Sequence, residues 1–380
     1  MNPRRAGPLS RTLLLAALAV APNACRAPGP HAAVEAGRRG TLLAIGGGLD
    51  DDNGPVFARF LELASAHGPA RIVVATAATG DQEVMATGKI AALQTWCPGV
   101  RCEVIRRETP EAETVAAIDA ATAMFFTGGD QKRITDRYRP GDTDTAEWLA
   151  MRRLLQRGGV IAGSSAGDAM MGESMFLTGR SAEALGAARP APPGNDAEPA
   201  AAGPQMGPGM RFLPWLLTDS HFFERDRLGR LMAGLEVAGQ RLGLGVGEDG
   251  CVEIDLATGV ITGIAVSDAL LVDVGRLERD GLARRRVVAR LIRQGMRVSL
   301  LDRLGQEPSP PPRPTTPPAH EVVVEEGQNR QLASWRLFRR ASAAGAGAWR
   351  LDLDGWRVTA WPDGRGEVVF DIDVDAAAPR

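Results

Sequence analysis

The sequence predicts an α/β fold with a mostly parallel sheet covered by helices on both faces. Three observations carry that prediction. Short, mostly apolar runs recur at 41–46, 71–75, 102–105, 124–127 and 159–162. Stretches with helical periodicity separate them, at 55–67, 83–96 and 145–156. Strands buried on both faces read as unbroken apolar runs, and alternation with helices is the signature of parallel crossovers.

The elements justify themselves in order. The run 41–46, Thr-Leu-Leu-Ala-Ile-Gly, opens into Gly46-Gly47-Gly48. The run 124–127 ends in Gly128-Gly129-Asp130-Gln131, and 159–162 leads straight into Gly163-Ser164-Ser165-Ala166-Gly167. Residues 180–210 are rich in Ala, Pro and Gly without a period and predict a surface insertion or flap. After it come a strand at 216–218, a helix at 225–236, and short strands at 243–246, 252–255 and 270–274. These complete a main domain over 39–303. A Pro-rich linker follows at 304–320. Residues 321–380 alternate apolar and polar at 349–353, 356–360 and 367–374, around Asp354-Gly355 and Asp363-Gly364 turns. That pattern predicts a small β-rich C-terminal segment. Arg284-Arg285-Arg286 reads as a solvated basic face.

Composition limits the function. A chain of 380 residues with 44% hydrophobic and 24% charged residues can build a sizeable core, which excludes disorder throughout. The formal net charge of −2 argues against a general nucleic-acid binder. Lys89 and Lys132 are the only lysines, so Schiff-base chemistry has few places to sit. Four histidines, His31, His67, His221 and His320, bound any mechanism that needs imidazole.

The N-terminus has the order of an export signal: Arg4, Arg5 and Arg11, an apolar run at 13–21, Pro22, then Asn23-Ala24-Cys25. Residues 1–24 are read as a signal peptide and 25–38 as a linker, with a periplasmic or extracellular destination. Cys25 sits where a bacterial lipoprotein carries its lipid, although Pro22 departs from the usual aliphatic residue; ordinary cleavage near Ala24 or Ala27 is the alternative. Membrane contact is expected only through that lipid. Cys97 and Cys102 flank a Pro-Gly turn that can bring two sulfurs together. Cys251 reads as a buried small hydrophobe. No metal or cofactor is expected, because the cysteine pair lacks a second pair at zinc spacing and the histidines are scattered.

The strongest chemical signal is Gly163-Ser164-Ser165-Ala166-Gly167 between a strand and a helical stretch, the G-x-S-x-G nucleophile elbow. A sharp turn holds the serine in a strained conformation and exposes it at the sheet edge. The N–H of Ala166 then points to where an oxyanion forms. A serine nucleophile needs a base. His31 and His320 lie in unpatterned segments, and His67 ends an early helix. His221, in Asp219-Ser220-His221-Phe222, is the one that follows a core strand downstream of Ser165. Glu248 ends another strand-then-turn, Gly243 to Gly247, and can supply the acid.

The order Ser, His, Glu is not that of an α/β-hydrolase, where the acid precedes the histidine. It is that of the cyanophycinase and aspartyl-dipeptidase group of serine peptidases, and the chain resembles cyanophycinases. Four motifs carry the resemblance across 41–275. They are the segment from Phe126 to Gln131, the elbow, the segment from Asp219 to Phe222 followed by Arg225, Arg227 and Arg230, and the segment from Gly243 to Glu248. The resemblance implies a flavodoxin-like three-layer sandwich related to class I glutamine amidotransferases. It implies Ser165 as nucleophile, His221 as base and Glu248 as its orienting acid. Gly128, Gly129 and Ala166 would form the oxyanion hole, and Gln131, Asp219, Arg225, Arg227 and Arg230 would contact substrate. The implied reaction is cleavage of cyanophycin, a poly-aspartate with arginine on each side-chain carboxyl, to β-Asp-Arg dipeptides. Guanidinium groups suit its free carboxylates. Two positions depart from the family pattern: Ser220 stands in place of a glutamine, and Gly247 in place of an acid. An aspartyl or isoaspartyl dipeptidase and a non-catalytic binding relative are the competing expectations. A homodimer is left open.

Overall fold

A computed structural model of the chain describes residues 39–186 and 204–375, apart from 266, 307, 309, 316, 317, 319, 323–331, 344 and 354. The expected signal peptide, Cys25, His31 and the 187–203 part of the expected flap lie outside the described residues. Among the described residues no helix is long and apolar enough to cross a membrane.

Five parallel strands form the centre of the first sheet: β1 (Thr41–Ile45), β2 (Arg71–Ala75), β3 (Arg101–Ile105), β4 (Ala123–Phe126) and β5 (Val160–Ser164). They lie in the order β1-β5-β4-β2-β3. Each crossover carries helix: α1 (Gly54–Ala64), α2 (Gln82–Trp96), α3 (Glu111–Ala120), and α4 (Gln131–Tyr138) with α5 (Ala146–Gln156). The helices start where short polar side chains accept their first N–H groups. Asn53, Asp81, Asp130 and Thr145 cap α1, α2, α4 and α5. Sequence periodicity passed over α3 and α4. The former is alanine-rich with little apolar contrast, and the latter spans only two turns.

A four-residue helix, α6 (Ala166–Ala169), follows β5, and a two-stranded ribbon of β6 (Ser174–Thr178) and β7 (Gln205–Pro208) brackets α7 (Ser181–Leu185). The ends of the expected flap are therefore ordered structure.

The remaining strands form a second sheet rather than extending the first alone. These elements are β8 (Leu216–Asp219), α8 (Leu228–Ala238), β9 (Leu242–Val246), β10 (Cys251–Asp255), β11 (Val260–Gly263), β12 (Ala269–Asp273), β13 (Glu278–Asp280), β14 (Ala283–Ile292), β15 (Arg297–Ser299), α9 (Leu300–Gly305), β16 (His320–Val322), α10 (Ala333–Ala341), β17 (Trp349–Leu353), β18 (Trp356–Pro362) and β19 (Val368–Val374). Strands β10, β11 and β15 add to the first sheet beyond β1, all antiparallel. The second sheet runs β16-β17-β18-β19-β14-β12-β9-β8. The C-terminal strands thus continue the same sheet through pairing of β14 with β19. Its central strand β14 contains the three arginines read as a solvated face. Arg284 is buried and forks onto Glu236, and Arg285 pairs with Asp373. Three consecutive cations hide the alternation that would otherwise have shown the strand.

The period-2 pleat sends Leu43 and Ile45 of β1 to one face and Leu42 and Ala44 to the other. The first set packs with Phe57 and Phe60 of α1 and Leu93 of α2. The second joins residues of α3 and α5 and Leu242, Leu244 and Val246 of β9 in one core. The far face of the second sheet, including Leu270 and Val272, packs on Leu231 and Leu235 of α8 and on Leu337 and Phe338 of α10. The result is a flavodoxin-like α/β core with a large β-rich addition.

Candidate active site

The site forms where the two sheets meet. β5 ends at Ser164 beside Ile45 of β1. β8 and β9 lie parallel, with Asp219 opposite Gly245, so the segments leaving both emerge together. The chain then returns to the first sheet through β10, next to β1.

Three successive carbonyls at the end of β1 gather the three functional segments. Ile45 accepts from Ser165 N at 2.9 Å, Gly46 from His221 N at 2.6 Å, and Gly47 from Asp249 N at 2.8 Å. A side chain cannot fit in this seam. A Cβ at Gly47, whose φ is +96°, would lie 2.4 Å from the His221 ring. The sequence shows the glycine run but not what it touches.

Ser165 has φ 57° and ψ −106°, a strained left-handed conformation for a residue with a Cβ. The turn closes tightly, because a Cβ at Gly163 would meet the Gly167 carbonyl at 2.1 Å. The half-buried Ser165 Oγ lies 2.7 Å from His221 Nε2. His221 Nδ1 lies 2.6 Å from Glu248 Oε1. The three residues anticipated from the sequence therefore form one continuous chain of hydrogen bonds. With Nδ1–H donating to the glutamate, Nε2 is left as the acceptor of the serine proton. Burial pushes the His221 pKa below its ordinary 6.5, and the Arg225 charge adds to this, against the pull of Glu248. A neutral imidazole is the form that accepts a proton. Activity is accordingly expected to fall on acidification through an apparent pKa below 6.5. In Arg225→Ala that limb should move up in pH, as measured by kcat/KM profiles. A limb at or above the ordinary value in the parent chain contradicts this reading of the histidine.

Gly128 approaches the nucleophile closely: a Cβ there would sit 3.2 Å from Ser165 Cβ. Gly129 has φ +139°, and a Cβ there would lie 2.3 Å from the Ala78 carbonyl. Ala166 begins α6, where an N–H has no acceptor within the helix. This places Gly128 and Ala166 beside the serine, as an oxyanion hole requires.

The expected substrate contacts divide. Arg225 is exposed, four residues beyond His221. Gln131 opens α4, and its amide Nε2 donates to the Phe176 carbonyl at 2.5 Å. Asp219, Arg227 and Arg230 are 0%, 8% and 3% exposed, and both arginines donate to Asp219. Arg230 donates from Nε to Asp219 Oδ2 at 3.0 Å and from Nη2 to Oδ1 at 2.5 Å. Arg227 Nη1 reaches Asp219 Oδ1 at 3.2 Å and the Ser220 carbonyl at 2.7 Å. The structure places these three, expected at the substrate, in a buried ionic cluster at the strand end leading to His221.

Two supporting residues escaped the sequence reading. Glu224 Oε2 accepts from Glu248 N at 2.9 Å, and burial raises its own pKa, with the Glu248 charge adding. Asp249 Oδ1 accepts from Asp50 N at 3.1 Å and Asn53 Nδ2 at 2.7 Å, tying the glutamate loop to the glycine loop. No pattern marks either one, since a turn acid looks the same whether solvated or bonded.

The other histidines lie elsewhere: His320 stacks on Trp349 at the second sheet's edge, and His67 lies near Gly158. Cys97 and Cys102 are free thiols, and burial pushes Cys102 up to about 11. Cys251 is buried and unpaired.

Several known proteins are similar to this chain. The cyanophycinase of Nostoc sp. is 32% identical over 148 residues, 38% of this chain and 43% of that protein. The cyanophycinase of Synechococcus elongatus is 27% identical over 244 residues, 62% and 69% of the two lengths. The chain thus spans under half the length of the former. A solved peptidase from an acI-B1 Actinobacterium superposes with a TM-score of 0.49 at 15% identity, covering 70% of this chain and 98% of that one. Residues 42–255, more than half of the chain, match the sequence profile of peptidase family S51. The chain belongs to peptidase family S51.

Proposed function

We propose that this chain is a serine-type exopeptidase that hydrolyses cyanophycin to β-Asp-Arg dipeptides. The observation that carries the proposal is the hydrogen-bonded line Ser165–His221–Glu248 on a strained elbow. Ser165 attacks the aspartyl backbone carbonyl while His221 takes its proton and later returns it to the leaving amine. Glu248 holds the imidazole tautomer and balances its positive charge. Gly128 and Ala166 face the oxyanion, with Gly129 shaping that loop. Arg225 is the guanidinium exposed at this edge and suits a free substrate carboxylate. The names of the curated relatives point to the same polymer.

A second reading is an aspartyl or isoaspartyl dipeptidase using the same three residues. It is favoured by the burial of Arg227 and Arg230, which leaves fewer cations to track a polymer. Incubation of the full chain with insoluble cyanophycin, followed by chromatography, decides between them. Release of β-Asp-Arg is the expected result. Cleavage of small aspartyl peptides with an untouched polymer establishes the second reading. Failure on both substrates overturns the peptidase assignment and leaves a binding protein.

A further inference from the structure

Away from the serine, a cavity of about 390 Å³ lies where β15 and α9 of one sheet region meet β14 and the β18–β19 turn of the other. Of its lining residues only Arg241 falls within the stretch that matches the family. Its floor is strongly charged and unevenly paired. Arg241 forks onto Asp273, with Nε–Oδ1 at 2.8 Å and Nη2–Oδ2 at 3.0 Å. Arg303 reaches the same Asp273 at 3.7 Å and also contacts Glu367. Arg290 reaches Glu367 only at 3.9 Å. Three guanidiniums therefore share two carboxylates.

Two further facts point the same way. The Nε atoms of Arg290 and Arg303 are buried and find no acceptor among the described residues. A buried donor left unpaired is costly, and an ordered ion or ligand is one way such a group is satisfied. Burial also pushes the Arg303 guanidinium below its ordinary value, with Arg290 and Arg241 adding to it against the pull of Asp273. At the rim, Arg297 and Arg365 are exposed and line the same cavity. Of the rim acids, Asp363 already accepts the N–H groups of Arg365 and Glu367, at 2.7 and 2.8 Å. Asp302 is the other. With five arginines against four acids, the lining carries one positive charge in excess.

We infer that this cavity is a second binding site, taking a small molecule through an oxyanion group, either a carboxylate or a phosphate. The guanidinium fork matches both, and the volume suits a ligand of metabolite size. Such a ligand would also join the C-terminal strands to α9.

The test is calorimetric titration of the full chain with succinate, inorganic phosphate and, as a cationic control, argininamide. One site for succinate, phosphate or both is expected, and which of them binds distinguishes a carboxylate ligand from a phosphate ligand. The double variant Arg297→Met/Arg365→Met removes only exposed side chains and is expected to weaken that binding at least tenfold. Its hydrolytic rate should be unchanged, because neither arginine belongs to the serine site. Arg303→Gln is the stronger perturbation but risks the fold, so the rim variant is the primary measurement. The inference is overturned if neither anion binds at about 10 mM, if argininamide binds in their place, or if the double variant binds them as the parent does.

Discussion

Ser165→Ala is expected to lower hydrolysis on the order of 10³-fold or more while leaving the fold intact. The oxygen lost is the atom 2.7 Å from His221 Nε2, so the histidine keeps its pairing with Glu248 but has no nucleophile to activate. The substitution itself is mild. Ser165 N bonds to Ile45, and that bond does not involve the hydroxyl. Alanine must hold the same positive φ that serine holds, so the backbone strain is unchanged. Circular dichroism and the denaturation midpoint should match the parent chain. Turnover of cyanophycin or of an activated ester near the parent rate would remove Ser165 from the mechanism. Loss of activity together with loss of fold would instead make it a structural residue.

Much of this site is legible in the sequence, for a physical reason. Residues at the ends of buried strands in an α/β sheet emerge at one edge. Ser165, His221 and Glu248 each follow an apolar run, so their convergence could be anticipated although they are far apart in the chain. The glycines were visible for the opposite reason, as positions where a side chain had been removed. What stayed hidden was the second sheet. Strand β8 feeds His221 and β9 feeds Glu248, yet neither belongs to the sheet that carries the serine. A short apolar run does not state which sheet it joins. The cationic strand β14 hid the link between that sheet and the C-terminal strands. Arginine was the other blind spot. Arg225, Arg227 and Arg230 look equivalent in the sequence, because a guanidinium is suited equally to a substrate carboxylate and to a buried aspartate. Burial alone separates them.

That separation gives the second large effect: Arg230→Ala and Arg225→Ala should fail in different ways. Arg230 is buried and contributes two of the hydrogen bonds that Asp219 accepts. Without it, a fully buried carboxylate keeps Arg227 at 3.2 Å as its remaining partner in the cluster. Removing one side of a buried ion pair costs about 3–5 kcal/mol, because the other charge stays desolvated. Arg230→Ala should therefore lower the urea midpoint strongly and, where it still folds, reduce hydrolysis of every substrate, since Asp219 lies two residues before His221. Arg225 is exposed, and its removal should change stability by less than about 0.5 kcal/mol. Its loss should instead weaken cleavage of cyanophycin about tenfold to a hundredfold, as one charge-assisted contact is worth. An activated ester, which reaches no such contact, should be cut nearly as before. If Arg230→Ala proves as stable as the parent chain and loses only polymer cleavage, the buried cluster is a substrate subsite after all. If Arg225→Ala cleaves polymer and ester alike at the parent rate, the carboxylate of cyanophycin is held by some other residue.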